Sequence, residues 1–104
     1  MKLNIETPWG PAEDVTNIAD GIDFISTAGH GGYRLSLTRV MEMPEPYRSY
    51  EPFCGRAGWY EEDCDWCVVA LAYPQFFPPH VHAEARRMWD WMQARKVEQE
   101  GVAA

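Results

Sequence analysis

Cys64-x2-Cys67, followed after twelve residues by His80-x-His82, brings together thiolate and imidazole, the ligand types that zinc prefers. The spacing argues against a zinc finger, because a single residue separates the histidines where a finger has three to five. The linking stretch, Val68 to Pro79, is also apolar and rich in proline. Two cysteines one helical turn apart equally suit a packed core, so no metal is expected. A thiol nucleophile could be assembled from Cys54, Cys64 or Cys67 with His30 as its base, yet no local signature surrounds any of them. Gly29-His30-Gly31-Gly32 reads as a loop, since three glycines in four residues are costly inside a helix or strand. Such a loop makes His30, Gly31 and Gly32 a candidate ligand site, with amides able to cradle an anion, but the lysine and the strand-loop-helix setting of a phosphate loop are missing. Glu61-Glu62-Asp63 and Asp65 could act as paired acid and base, or hold magnesium, if their carboxylates converged. Consecutive helical residues diverge by about 100°, which disfavours convergence. No catalytic residue and no cofactor is assigned, and binding is the chemistry that remains.

Charge distribution gives that binding a direction. The chain of 104 residues carries a formal charge of −7, unlike nucleic-acid binders, which cluster Lys and Arg on a face. From Leu3 to Tyr33 there are five carboxylates (Glu6, Glu13, Asp14, Asp20, Asp23) and no Lys or Arg. From Glu61 to Glu84 there are again five (Glu61, Glu62, Asp63, Asp65, Glu84) and none. Placed side by side, the two blocks would project a negative field that attracts a basic partner; placed apart, they would be a solvated surface that aids solubility. Asp14, Asp20 and Asp23 from the first block, and Glu61, Glu62, Asp63 and Asp65 from the second, are the candidate partner-binding acids. Trp59 and Tyr60 beside them are aromatic residues of the kind that anchor interfaces, or else core residues.

The elements that must position these side chains indicate an α+β fold, a small antiparallel sheet packed on two or three helices. Leu3-Asn4-Ile5 alternates and suggests a short strand, and Thr7-Pro8-Trp9-Gly10-Pro11 a rigid turn carrying Trp9. Val15–Ile18 and Ile22–Thr27 flank Asp20-Gly21, a hairpin signal. In the second arm Ile22, Phe24 and Ser26 share one face and Asp23, Ile25 and Thr27 the other, so burial on both sides is possible. Tyr33-Arg34-Leu35 resumes the sheet, and Ser36 reads as the N-cap of a short helix from Leu37 to Met43 that stops at Pro44. Residues 44–58 form an irregular connection, long enough to be functional or packed by its own Tyr47, Tyr50 and Phe53. From Glu61 to Tyr73 the acidic start and the spacing of Trp66, Val69, Ala70 and Tyr73 favour a buried helix, with a buried strand over 66–72 as the competitor. A last helix is expected over about 79–97, with Val81, Ala85, Met88, Trp89 and Met92 on its apolar stripe and a frayed tail beyond it. A single domain over 1–104 suits this length. Three cysteines without a leader fit a reducing cytoplasm, and no apolar run approaches the roughly 18 residues of a membrane helix.

Four blocks, Thr7-Pro8-Trp9-Gly10-Pro11-Ala12, Ser26 to Gly32, Met43-Pro44-Glu45-Pro46-Tyr47-Arg48 and Gly58-Trp59-Tyr60-Glu61-Glu62-Asp63-Cys64-Asp65-Trp66, resemble a small domain family of unknown function encoded on phages, plasmids and integrated elements. The resemblance runs from about Thr7 to Phe77 and leaves out the last helix. It implies a setting in which small acidic proteins are often inhibitors of bacterial defence, including anti-CRISPR and anti-restriction proteins, some of which mimic DNA. The expectation is a non-enzymatic inhibitor in the bacterial cytoplasm. Its acidic surface would bind a CRISPR effector or similar nuclease complex and block nucleic-acid binding, without itself touching nucleic acid or membrane. The alternatives are a small hydrolase or transferase built around His30, and a regulatory protein-protein interaction module of a mobile element.

Overall fold

The computed structural model describes the backbone of residues 4–103 and the side chains of residues 4–99. Pairing begins with a two-stranded hairpin, β1 (Glu6–Thr7) and β2 (Gly10–Pro11). The Thr7 hydroxyl donates to the Gly10 carbonyl at 2.7 Å and accepts from the Trp9 amide at 3.0 Å, while Gly10 takes φ +117°. The rigid turn expected around Trp9 is therefore the tip of a hairpin. Of the strand expected at Leu3-Asn4-Ile5, Leu3 lies outside the described residues, and Asn4 and Ile5 are not in a strand.

The main sheet is a four-stranded antiparallel meander in sequence order: β3 (Asp14–Ala19), β4 (Ile22–Ser26), β5 (Gly31–Leu35) and β6 (Trp59–Glu61). Asp20-Gly21 closes the β3–β4 hairpin with Gly21 at φ +77°. Two strands depart from the expected pattern. Gly31 and Gly32 are not loop residues but the start of β5; a Cβ on Gly31 would stand a tight 3.0–3.2 Å from the Glu62 carboxylate, the Phe24 ring and the Ile25 carbonyl, and Gly32 has no room for one. A Cβ on Gly32 would strike the Trp9 ring and stand 2.5 Å from the Tyr60 carbonyl oxygen. Glu61, expected at a helix start, instead ends the fourth strand.

Strand alternation assigns the two faces. Ile22, Leu35 and Tyr60, all buried, point to the side covered by helices, where they join the core with Cys67, Val68, Val69, Ala70, Ala85 and Trp89. Ile25 points to the other side and is 0% exposed. That side carries the Trp9 hairpin, so both faces bury apolar surface, as the alternation along β4 allowed.

Ser36 caps α1 (Leu37–Glu42) by accepting from the Arg39 amide. The apolar run settles as a helix, α2 (Trp66–Ala72), and a 3-10 turn at Pro74–Phe76 leads into α3 (Pro79–Ala103). Its 25 residues span about 37 Å at 1.5 Å per residue. The helix therefore continues past the fraying point expected near Lys96, and the molecule measures 52 × 28 × 25 Å.

Gly32→Ala is expected to lower unfolding stability by about 2–3 kcal/mol, the scale of a forced overpacking against backbone. Gly29→Ala, whose Cβ meets nothing within 4 Å, should change it by under about 0.5 kcal/mol. Urea denaturation of the two variants checks the contrast.

Candidate functional site

The residues that could have supported metal or thiol chemistry are placed apart or put to structural use. Cys67 is buried in α2, where burial pushes its thiol up to about 12. Cys64 is half-buried ahead of that helix, and burial raises its thiol as well. His80 is exposed, and His82 Nε2 lies 2.7 Å from the Pro74 carbonyl and 2.8 Å from the Phe77 carbonyl, which places its proton on that nitrogen. Among the described residues no group of three or more His, Cys, Asp or Glu side chains could hold a metal ion. His30 is exposed in the β4–β5 turn, where its backbone, rather than its ring, exchanges hydrogen bonds of 2.7–3.1 Å with Thr27.

The Glu61–Asp65 cluster divides into two internal ties and two exposed acids. Asp65 is 0% exposed. Its carboxylate accepts from the Tyr50 hydroxyl, from the Phe53 amide at 3.0 Å and from the Glu61 amide at 3.4 Å. The Glu61 carboxylate accepts from the amides of Asp63 (2.8 Å), Cys64 and Asp65 (3.0 Å), closing the turn that leads to α2. Both carboxylates are engaged in hydrogen bonds within the chain. Tyr60 is buried in the core, which corrects its assignment as an interface anchor. Trp59 is half-buried, edge-on to Trp9 with ring centroids 5.9 Å apart, and has the guanidinium groups of Arg34 and Arg56 over its ring at 5.8 and 5.6 Å.

The first acidic block is divided in the same way. Asp23 forms an ion pair with Arg34 at 3.1 Å and accepts from Asn17 at 2.9 Å, so the chain's own arginine neutralises it. Asp20 is exposed at the β3–β4 turn, the end of the sheet opposite to Asp14. Asp14 pairs with Ser26, Ser26 with Gly31, and the Glu62 amide donates to the Gly31 carbonyl at 2.9 Å. Asp14, Ser26, Gly31 and Glu62 therefore form one row across the end of the sheet, with side chains on the same face. Gly31 leaves room in that row, and the Glu62 carboxylate reaches to within 3.0 Å of where its Cβ would stand. Glu13 and Asp63, the chain neighbours of Asp14 and Glu62, are both exposed. With strands about 4.8 Å apart, Asp14 and Glu62 are about 14 Å from each other. Among the described residues, none of these four acids has a salt-bridge partner.

A family model described as a domain of unknown function, DUF7007, matches residues 2–100. The chain belongs to that family. No curated protein and no solved structure matches it. The DUF7007 match covers nearly the whole of α3, the helix that the four sequence blocks left out.

The structure of this DUF7007 domain also holds a feature that sequence reasoning missed, an open groove of about 800 Å³ between residues 46–53 and the C-terminal half of α3. Its only sequence signal was the length of the 44–58 connection and the three aromatics within it. No helix among the described residues is long and apolar enough to cross a membrane.

Burial outweighs the three hydrogen bonds at Asp65 and raises its carboxyl above the ordinary 3.8. The folded state therefore holds this proton more tightly than the unfolded chain does. The resulting stabilisation is complete below about pH 4 and is lost as pH rises through the folded pKa. Asp65→Asn lacks this term, so the stability of wild type relative to the variant is expected to fall across that window, measured by denaturation at a series of pH values. Asp65→Ala, which leaves three part-buried donors without their acceptor, should cost about 3–5 kcal/mol.

Proposed function

We propose that this domain is a non-enzymatic binding module that presents the acidic end of its sheet to a basic surface, and that its partner is a bacterial nucleic-acid-handling complex such as a CRISPR effector. The observation that carries this reading is the cross-strand row, which brings Asp14 of the first acidic block and Glu62 of the second to one end of the sheet. Glu13 and Asp63 are exposed beside them. Carboxylates without salt-bridge partners among the described residues keep their attraction for a cationic surface, and an extended row is the shape that would compete with a phosphate backbone for lysines and arginines. The resemblance to domains of mobile elements supplies the class of target and the bacterial cytoplasm as the setting. The net charge of −7 opposes direct contact with nucleic acid.

The contact surface is narrower than the ten carboxylates of the two blocks. Glu61 and Asp65 hold the fold together, Asp23 is neutralised, and Asp20 sits at the far end, so charge reversal is informative at Asp14, Glu62 and Asp63. With a purified CRISPR effector and labelled target DNA, the wild-type domain should displace DNA, and do so less well as salt rises. The triple variant Asp14→Lys, Glu62→Lys, Asp63→Lys should keep its circular dichroism spectrum and lose displacement by at least about tenfold. A variant that displaces DNA as well as wild type would sink the electrostatic reading. Failure of the wild-type domain to act on any of a panel of such complexes would sink the choice of target.

A further inference from the structure

We propose that the groove between α3 and the 44–58 connection is a docking site for an acidic peptide segment that carries an apolar anchor residue. The line of α3 that packs on the core runs through Val81, Ala85, Met88 and Met92. At helical spacing the same line continues through Arg95, Lys96 and Gln99, so the inward face of α3 turns from apolar to basic where the helix passes the end of the body. All three residues line the groove.

The opposite wall is fixed by aromatic packing. Tyr47 and Tyr50 lie against Trp89 with ring centroids 5.1 and 5.8 Å apart. Tyr50 also donates to Asp65 and makes a 3.8 Å contact with the Met92 sulfur. The floor of Tyr50, Trp89 and Met92 is thus formed before any ligand arrives, and a preformed concavity with a few charged groups on its wall is the usual form of a binding site.

Charge and exposure select the occupant. Arg95 and Lys96 face a single acid among the lining residues, Glu51, in a protein whose net charge is −7. The groove is a local reversal of sign and fits an anionic ligand. Arg95 is already positioned, with its guanidinium 4.9 Å from the Trp91 ring centroid. Phe53 on one wall is 69% exposed and Trp91 on the other 52% exposed. Two large uncovered aromatics on either side of a trough suit a polypeptide laid along it, with one apolar side chain on the floor and carboxylates toward α3. A small anion would leave both rings in water. A polyphosphate has no apolar group to set against the exposed Phe53 and Trp91 rings.

Selection from a random peptide library on the immobilised wild-type domain tests the assignment. Enriched peptides are expected to combine Asp or Glu with a Leu or aromatic residue. In fluorescence anisotropy they should bind wild type and weaken by at least about tenfold on Arg95→Glu/Lys96→Glu and, separately, on Trp91→Ala. The substituted residues are surface groups, and circular dichroism confirms that each variant is folded. The proposal is overturned if nothing is enriched, if the enriched peptides are basic or uncharged, or if they bind the variants as they bind wild type. It is equally overturned if sedimentation shows a dimer that Trp91→Ala dissolves, since a second copy would then fill the groove. Asp14, Glu62 and Asp63 lie outside the groove lining, so this outcome and that of the DNA-displacement experiment are independent.

Discussion

One buried carboxylate organises the part of the molecule on which both proposed binding surfaces depend. Asp65 collects hydrogen bonds from Tyr50 and Phe53 in the long connection and from Glu61 at the end of β6, and stands immediately ahead of α2. A carboxyl group with no exposed surface is costly unless its lone pairs are satisfied. The same requirement makes Asp65 a specific tie, because the Tyr50 hydroxyl and the Phe53 amide both come from the long connection and both donate to it. With Tyr50 fixed, the aromatic contacts to Trp89 follow and α3 acquires its groove. With Glu61 fixed, the next two residues are turned outward, and Glu62 and Asp63 reach solvent.

The acidity of this chain therefore has two uses that a count of charges merges. Glu61 and Asp65 act locally, as acceptors for backbone amides and a phenol, and Asp23 is matched by Arg34. Glu13, Asp14, Glu62 and Asp63 have no salt-bridge partner among the described residues and are exposed at one end of the sheet. The bases divide similarly: Arg34 and Arg56 stack on Trp59, Arg39 lies over Tyr73 and Phe76, and Arg95 with Lys96 borders the groove. The outcome is a molecule with an acidic sheet end and a basic helix wall, each aimed outward from a framework stabilised by the remaining charges.

Local chemistry was legible in the sequence wherever it decided structure locally. Asp20-Gly21 marked the hairpin, Ser36 the cap of α1, Pro44 the end of that helix, and the stripe from Val81 to Met92 the packed face of α3. The α+β class followed from these. What escaped depended on partners distant in sequence. Gly31 and Gly32 looked like a loop because glycine weakens a strand, and only the approach of Trp9 and the β6 backbone shows why the strand requires a glycine at position 32. Glu61 looked like the first turn of a helix because its cap is formed by its side chain, four residues ahead of the buried Asp65. The groove was invisible because it lies between a connection and a helix separated by about forty residues, and no periodicity within either one encodes their meeting.

Amide hydrogen exchange of wild type and Asp65→Asn, resolved by residue, addresses the central tie most directly. If Asp65 holds the connection to the sheet and to α2, the amides of Phe53 and Glu61 are strongly protected in wild type. In the variant they lose that protection, together with the rest of the 44–58 segment, while the β3–β4 amides keep theirs. Protection at Phe53 and Glu61 that survives the substitution unchanged would contradict the account, because the path of the connection would then be set by something other than this carboxylate.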